Sequence, residues 1–147
     1  MTKVLVVYYS QSGNTHRMAE AVAAGARAGG AEAVVKTGLE ATVDDLLGCD
    51  GVAFGSPDYF SEMAGGLKDF FDRTYYPCQG KITGKPCAIF ASAGGPPTVV
   101  IASLRKMAGN FKLKEAAEAV GTSGAPSDAV LQECQQLGRA LADAARR

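Results

Sequence analysis

The alternation of short apolar runs with longer segments of helical periodicity constrains this chain more than any other feature. Four runs rich in β-branched and aromatic residues lie at 4–9, 33–36, 52–55 and 87–91. Because nearly every position in them is apolar, they are typical of strands covered on both faces, as in a parallel sheet. The run at 115–120 predicts a fifth strand.

The segments between these runs carry apolar residues at every third or fourth position, which predicts helices. Thr42 and Asp45 resemble a capping box at one helix start. The Pro96-Pro97 pair is expected to precede another helix. Five strand–helix repeats predict an α/β fold, a doubly wound three-layer sandwich with right-handed crossovers. Ligands of such folds bind at the carboxyl ends of the strands, so the loops at that edge are the candidate site.

Composition and charge exclude several classes of function. The chain has 147 residues, 47% hydrophobic and 20% charged, and we expect residues 1–147 to form a single domain. Lys+Arg and Asp+Glu number 15 each, so a net charge of zero gives no electrostatic argument for nucleic acid or an anionic membrane. The run at 4–9 is far shorter than the ~20 residues of a membrane span, and no leader cleavage pattern follows it. We therefore expect a cytoplasmic protein that binds neither nucleic acid nor a membrane.

The cysteines and the one histidine do not form a metal-binding pattern. Cys49, Cys78, Cys87 and Cys134 include no C-x-x-C pair, and a single histidine adds too little for a zinc site. We expect no metal, and reduced thiols that mostly fill the core. Cys78 directly follows Pro77 in a predicted loop, so it is expected to be the most exposed of the four.

A polar loop joins the first predicted strand to the first predicted helix, and its residues are Ser10, Gln11, Ser12, Gly13, Asn14 and Thr15. The unpaired N–H groups and partial positive charge of a helix N-terminus hold a phosphate without a cation, and nearby hydroxyls add donors. The loop contains no Lys or Arg, and both the Walker pattern and G-x-G-x-x-G are absent, which argues against a nucleoside triphosphate. The loop predicts a phosphate cradle; the alternative is an ordinary turn with a polar N-cap.

The pattern Ser10-x-Ser12-Gly13-x-Thr15 resembles the phosphate loop of the flavodoxin family, [ST]-x-[ST]-G-x-T. The resemblance extends along the chain in the order of strands and helices and in the placement of loops. It implies a flavodoxin-like domain of the short-chain form that binds FMN by its 5′-phosphate. It also implies a five-stranded parallel sheet of order 2-1-3-4-5.

Two further segments complete the cofactor site that the resemblance implies. They are Ser56, Pro57, Asp58, Tyr59 and Phe60 after the third predicted strand, and Ser92, Ala93, Gly94 and Gly95 after the fourth. Adjacent aromatics can stack on an isoalloxazine ring, and glycines let main-chain N–H groups approach its pyrimidine edge. The alternative is that Phe60 belongs to the core and Tyr59 to the surface.

The spacing of Pro57, Phe60, Met63 and Ala64 resembles that of NAD(P)H:quinone oxidoreductases of the multimeric flavodoxin branch. This resemblance implies an oxidoreductase that takes hydride from NAD(P)H and passes electrons from FMN to a quinone or similar small acceptor. Those enzymes usually carry a histidine in the third loop and a longer segment after it, and this chain has neither. We expect a monomer or dimer, with the chemistry on FMN and no catalytic side chain.

The alternative function is an electron carrier of the flavodoxin kind, which serves a redox partner protein and turns over no substrate of its own. Carriers of this family are strongly acidic, whereas this chain is neutral. The segment 56–63 also contains no glycine, which disfavours the left-handed backbone that carriers use beside the flavin. Both observations favour the oxidoreductase; a flavin-free relative is a third hypothesis.

Overall fold

The structure, a computed structural model, describes residues 1–146. The strands are β1 Lys3–Tyr8, β2 Glu32–Thr37, β3 Gly51–Tyr59, β4 Glu62–Met63, β5 Pro86–Ala93, β6 Lys114–Glu115 and β7 Val120–Ser123. The helices are α1 Asn14–Ala28, α2 Val43–Gly48, α3 Gly65–Cys78, α4 Thr98–Asn110 and α5 Asp128–Ala145. The capping box predicted at Thr42 and Asp45 is present at the start of α2.

The sheet confirms the predicted doubly wound α/β fold. Its order is β2-β1-β3-β5, after which both β6 and β7 pair with β5, and all of these pairings are parallel. In chain order this is the predicted 2-1-3-4-5, with the fifth strand divided into β6 and β7. The sheet also includes the short antiparallel strand β4, so seven strands are present within residues 1–146. The break at 116–119 falls on Ala-Ala-Glu-Ala, residues of low strand propensity.

Two predicted strands are longer than their apolar runs. β3 continues to Tyr59 because its ladder with β5 reaches Pro57 and Ser92, after which β4 pairs with it antiparallel. The segment 56–59, predicted as a loop, is therefore strand. β5 likewise includes Ser92 and Ala93. Pairing with a neighbouring strand sets these ends, and hydrophobicity along one strand does not report it.

Each face of the sheet is covered by helices, as the apolar strands predicted. On one face Val4, Val6 and Phe90 pack with α1 and α5. On the other face Phe54 and Ile89 pack with α2, α3 and α4. Successive residues of a strand point to opposite faces, so β1 supplies both cores by alternation. Both layers hold the strand ends, and hence the loops, in fixed relative positions.

The segment around Cys78 differs from its prediction as an exposed loop. Tyr76 and Pro77 lie in the last turn of α3, and the helix ends one residue after the proline, which has no N–H to donate. Cys78 ends that helix and is fully buried. Burial raises the pKa of its thiol above the ordinary value. The other three thiols are also buried, with the pKa raised to about 11 at Cys49 and about 12 at Cys87 and Cys134.

Residues 1–146 contain neither a cluster suited to a metal ion nor a membrane-spanning helix. No group of three or more His, Cys, Asp or Glu side chains is placed to hold a metal ion. No helix in this part of the chain has both the length and the apolar character that crossing a membrane requires.

Helices α1 and α5 cross at a contact that only glycine permits. A Cβ atom on Gly25 of α1 would lie 1.8 Å from the main-chain oxygen of Gln135 in α5. In the reciprocal contact, a Cβ on Gly138 of α5 would lie 1.8 Å from the main-chain oxygen of Val22 in α1. Backbone therefore packs directly on backbone, and the two helices cover their face of the sheet as one layer.

We predict that Gly25→Ala lowers the free energy of unfolding by about 1–3 kcal/mol, because the added methyl group forces the two helices apart. Gly109→Ala is the matched control, since Gly109 lies in α4 and a Cβ there meets no atom within 4 Å. The control should raise the free energy of unfolding by about 0.4–1 kcal/mol, because alanine leaves the unfolded chain less conformational freedom than glycine does. Urea unfolding of the three proteins measures both shifts, and equal midpoints for the two variants would contradict the close crossing.

Candidate cofactor site

The predicted site segments lie at the edge where the carboxyl ends of the parallel strands meet. β1 pairs with β2 on one side and β3 on the other, so the chain reverses its winding direction at β1. Loops at such a switch point diverge and leave a crevice. The three predicted segments follow or end β1, β3 and β5, which are neighbours in the sheet, and all three therefore border this crevice.

The first loop presents a helix N-terminus that no side chain caps. Gly13 is the N-cap of α1, with φ of +97°. The Ser10 hydroxyl oxygen accepts a hydrogen bond from the Gly13 N–H at 3.0 Å, and that of Ser12 accepts from the Asn14 N–H at 3.4 Å. The main-chain N–H groups of Thr15 and His16 donate no hydrogen bond within residues 1–146.

Donors of this kind fit a phosphate. The loop supplies main-chain N–H groups, hydroxyls and the positive end of α1, and Gln11 and Ser12 are exposed. A Cβ on Gly13 would meet no protein atom within 4 Å, so the space over the loop is open to a ligand. The φ of +97° favours glycine at this position, because other residues adopt it only with strain.

A buried hydrogen bond ties the first loop to the third. The Thr15 and Ser92 hydroxyl oxygens are 2.8 Å apart, and both residues are buried. The start of α1 is thereby held against the end of β5. The Thr15 hydroxyl, predicted as a phosphate ligand, is thus engaged with Ser92. The sequence carried no signal for this pair, because its members are 77 positions apart.

The second segment ends in a strained two-residue turn. β3 and β4 form a hairpin whose turn residues, Phe60 and Ser61, have φ of 58° and 66°. Two left-handed residues are typical of a type I′ hairpin, which usually places Asn or Gly there. The Asp58 carboxylate supports the turn by accepting the Ser61 N–H at 2.8 Å. The expectation that a segment without glycine avoids left-handed backbone is therefore wrong.

Two aromatic residues of this hairpin have different environments. The Phe60 side chain is 99% exposed, which excludes the alternative that it belongs to the core. Tyr59 is half-buried, and its ring packs edge-on against that of Tyr9 with centroids 6.4 Å apart. Burial and the Tyr9 phenol raise the pKa of Tyr59 above its ordinary value, and the Gln11 backbone partly offsets this. Tyr59 is therefore a neutral ring that bridges the first and second segments.

Ser56 and Pro57 lie below the surface of the crevice. Ser56 is fully buried, and its hydroxyl accepts the Ala64 N–H at 2.9 Å and donates to the Pro57 carbonyl at 2.7 Å. Its side chain thus connects the end of β3 to the start of α3. The sequence predicted Ser56 as a ligand contact from its position after the third strand. In the structure its two hydrogen bonds instead hold the hairpin in place.

The third loop is braced by a strand end that the sequence did not assign to the site. Gly94 and Gly95 are exposed, and a Cβ on either would meet no atom within 4 Å. The Ser123 hydroxyl donates to the Gly95 carbonyl at 2.9 Å, and the Gly124 N–H donates to the Ala93 carbonyl at 2.7 Å. β7 ends beside β5 at the same edge of the sheet. Ser123 and Gly124 could therefore have been predicted from the rule that the carboxyl ends of parallel strands meet at one edge.

Tyr9 is a second residue that the sequence did not assign to the site. It follows β1 directly, and a Cβ on Gly66 of α3 would lie 2.3 Å from its ring. The ring is therefore held between the start of α3 and Tyr59. Its position as the last residue of the first apolar run was the only signal.

Comparisons with known proteins agree with this geometry. The family model described as NADPH-dependent FMN reductase matches residues 33–126, more than half of the chain. A flavodoxin of Aquifex aeolicus (strain VF5) is 45% identical over 96 residues, which cover 65% of this chain and 52% of that protein. An NAD(P)H dehydrogenase (quinone) of Geobacter sulfurreducens is 35% identical, over 67% of this chain and 63% of that protein. The chain thus spans between half and two thirds of these relatives.

The solved structure of a flavodoxin from the domain Archaea has a TM-score of 0.89 and 27% identity, and the match covers 99% of this chain and all of that one. The solution structure of two-electron reduced Megasphaera elsdenii flavodoxin gives a TM-score of 0.82 at 26% identity, over 95% of this chain and 98% of that one.

The fold, the crevice and these matches define a flavodoxin-like FMN protein with a redox function. The chain belongs to the NADPH-dependent FMN reductase family. The predicted phosphate loop at residues 10–15 precedes the matched range, so its assignment depends on the geometry described above.

We predict that the protein binds FMN more tightly than riboflavin, because the first loop offers donors that suit the phosphate. Gly13→Ala should weaken FMN binding, since an alanine at φ of +97° costs about 1–2 kcal/mol and its methyl group enters the space over the loop. Gly80→Ala is the matched control, with φ of +78° and open surroundings but no place at the crevice. Fluorescence titration measures these affinities, and equal affinities for the two flavins would remove the phosphate assignment.

The Thr15–Ser92 bond predicts a non-additive pair of substitutions. Thr15→Val and Ser92→Ala should each lower the free energy of unfolding by about 1–3 kcal/mol, because each leaves a buried hydroxyl without its partner. The double variant should lose less than the sum of the two. Denaturant unfolding of the four proteins in the cycle measures the coupling. Additive losses would show that the two hydroxyls do not depend on each other.

Proposed function

We propose that this protein is an NAD(P)H-dependent oxidoreductase that uses FMN and reduces a quinone or a similar small acceptor. The observation that carries the proposal is the weak charge of the candidate site. Among the three segments and the hairpin that follows, only Asp58 and Glu62 are acidic, and the Asp58 carboxylate is engaged by Ser61. A docking surface for a basic partner protein needs a negative electrostatic potential, which this edge of the sheet lacks.

Family relationship supports the same proposal. The family description specifies NADPH, and relatives named NAD(P)H dehydrogenase (quinone) are 35–36% identical. Bound FMN would supply the redox chemistry that transfers a hydride equivalent from the nicotinamide and passes two electrons to the acceptor. Reduction of a quinone to a hydroquinone by a hydride equivalent takes up one further proton, which water supplies, so no acidic side chain is required.

The residues of this chain bind, orient and shield the cofactor in this proposal. Residues 10–15 hold the 5′-phosphate through main-chain N–H groups and hydroxyls, with Thr15 positioned by Ser92. Tyr59 and Phe60 flank the ring. Gly94 and Gly95 present main chain to its pyrimidine edge. The remaining predicted residues, Ser56, Pro57, Asp58 and Ala93, support these walls, and residues 1–147 act as one domain.

An electron carrier is the second candidate, and two observations favour it. The Aquifex aeolicus relative that is 45% identical is named flavodoxin, and the archaeal flavodoxin matches over its full length. Phe60 and Ser61 also adopt left-handed backbone beside the candidate site. In this candidate the acceptor is a redox partner protein.

Salt dependence and turnover separate the two functions. We predict that the FMN-loaded protein oxidises NADPH or NADH in the presence of a simple benzoquinone, without a partner protein. The rate should change only modestly as the Debye length falls from ~30 Å at 0.01 M salt to ~8 Å at 0.15 M. A neutral quinone gains nothing from long-range attraction. Loss of absorbance at 340 nm measures the rate, with FMN-free protein as the control.

A different result would identify the protein as an electron carrier. If the FMN-loaded protein oxidises neither nucleotide with any simple quinone, yet exchanges electrons with a flavodoxin reductase at a rate that falls steeply with salt, it is a carrier.

A further inference from the structure

A cleft opens beside the hairpin that bears Tyr59 and Phe60. It has a volume of about 640 Å³ and lies between that hairpin, the start of α3 and the outer face of α4. This volume falls within the range of roughly 300–1,000 Å³ that is usual for small-molecule sites. Tyr59 and Phe60 line both the cleft and the proposed flavin position, so the two spaces are continuous.

One face of α4 supplies the polar lining of the cleft. Ser103, Lys106 and Asn110 are spaced so that all three share that face, adjacent to the core-facing stripe that contains Leu104. The side chains of Ser103 and Asn110 make no hydrogen bond within residues 1–146. The Lys106 ammonium has no carboxylate within 4 Å in the described part of the chain.

The remaining charges of the cleft identify where an anion would sit. Lys68 on α3 is already paired with Asp72 at 2.7 Å. Glu62 is exposed on the hairpin rim and disfavours an anion near it. Lys106 is therefore the cation left for a ligand, with hydroxyl and amide donors on either side of it. An ammonium with neighbouring neutral donors suits phosphate oxygens.

The dimensions of the cleft suit an extended ligand that begins at the flavin. Ser103 and Asn110 are about 10 Å apart along the helix axis. A dinucleotide whose nicotinamide contacts the flavin has to place its phosphates and adenosine within that kind of reach.

We propose that this cleft binds the adenosine–phosphate half of NAD(P)H, with Lys106 and Ser103 contacting phosphate oxygens. The proposal rests on the proposed function, because it assigns the subsite of the same nucleotide substrate. The group that Lys106 contacts is a phosphate, and it is either the 2′-phosphate of NADPH or the diphosphate that NADPH and NADH share.

Lys106→Ala in the FMN-loaded protein tests the proposal. It should raise the KM for NADPH about tenfold, more than it lowers kcat, as expected for loss of one charged hydrogen bond. Lys106→Arg should retain most of the affinity. Lys81→Ala is the matched control, because it removes an exposed lysine outside the cleft and should leave the KM unchanged. A larger effect on NADPH than on NADH assigns Lys106 to the 2′-phosphate, whereas equal effects assign it to the diphosphate.

A binding measurement provides a second readout that does not depend on turnover. Calorimetric titration with 2′,5′-ADP and with ADP should show binding to the wild type that is weakened in Lys106→Ala and unchanged in Lys81→Ala. If the wild type oxidises NADPH but Lys106→Ala alters neither KM nor nucleotide binding, the subsite is wrong and the proposed function stands. If the wild type oxidises neither NADPH nor NADH, the proposed function fails and the subsite fails with it.

Discussion

The central position of β1 is the constraint on which the rest of the structure depends. β1 is hydrogen-bonded to β2 on one side and to β3 on the other, so the chain reverses its winding direction there. The loops that follow β1 and β3 consequently separate and leave a crevice between them. Both faces of this strand are buried, because its four residues 4–7 alternate between the two cores. The position of the cofactor site follows from this topology.

The candidate phosphate site offers neutral donors, and residues 10–15 contain no Lys or Arg. Its donors are the N–H groups at the start of α1 and the hydroxyls of the loop, and their directions depend on the left-handed backbone of Gly13. Neutral donors act only at short range, so their contribution depends on loop geometry. The Thr15–Ser92 bond holds the start of α1, and the bond from Ser123 to Gly95 braces the third loop. The supporting shell therefore extends across β5 and β7.

The β3–β4 hairpin connects the cofactor site with the cleft beside it. Its turn places Phe60 fully in solvent at a cost in backbone strain, since a bulky residue at positive φ is disfavoured. Strain of this kind is commonly retained at functional sites. The same turn provides the left-handed backbone that was expected only of carriers. The local backbone thus fits either function, and the low charge of the edge favours the oxidoreductase.

Hydrophobic periodicity and turn residues determined the strand–helix order, the coverage of both sheet faces and the loop at residues 10–15. These are local properties, because burial, capping and helix initiation act over a few residues. Tertiary structure alone decided the features that depend on distant partners. The ladder with β5 extended β3 to Tyr59, the helix layer buried Cys78, and β7 brought Ser123 to the third loop. The backbone contact at Gly25 and the α4 face with Lys106 likewise exist only once separate elements are packed together. Pairing between segments far apart in the chain produces no hydrophobic periodicity in either segment. The sequence therefore predicted the edge of the sheet and the segments of the candidate site. The contacts that hold those segments together could be seen only in the folded structure.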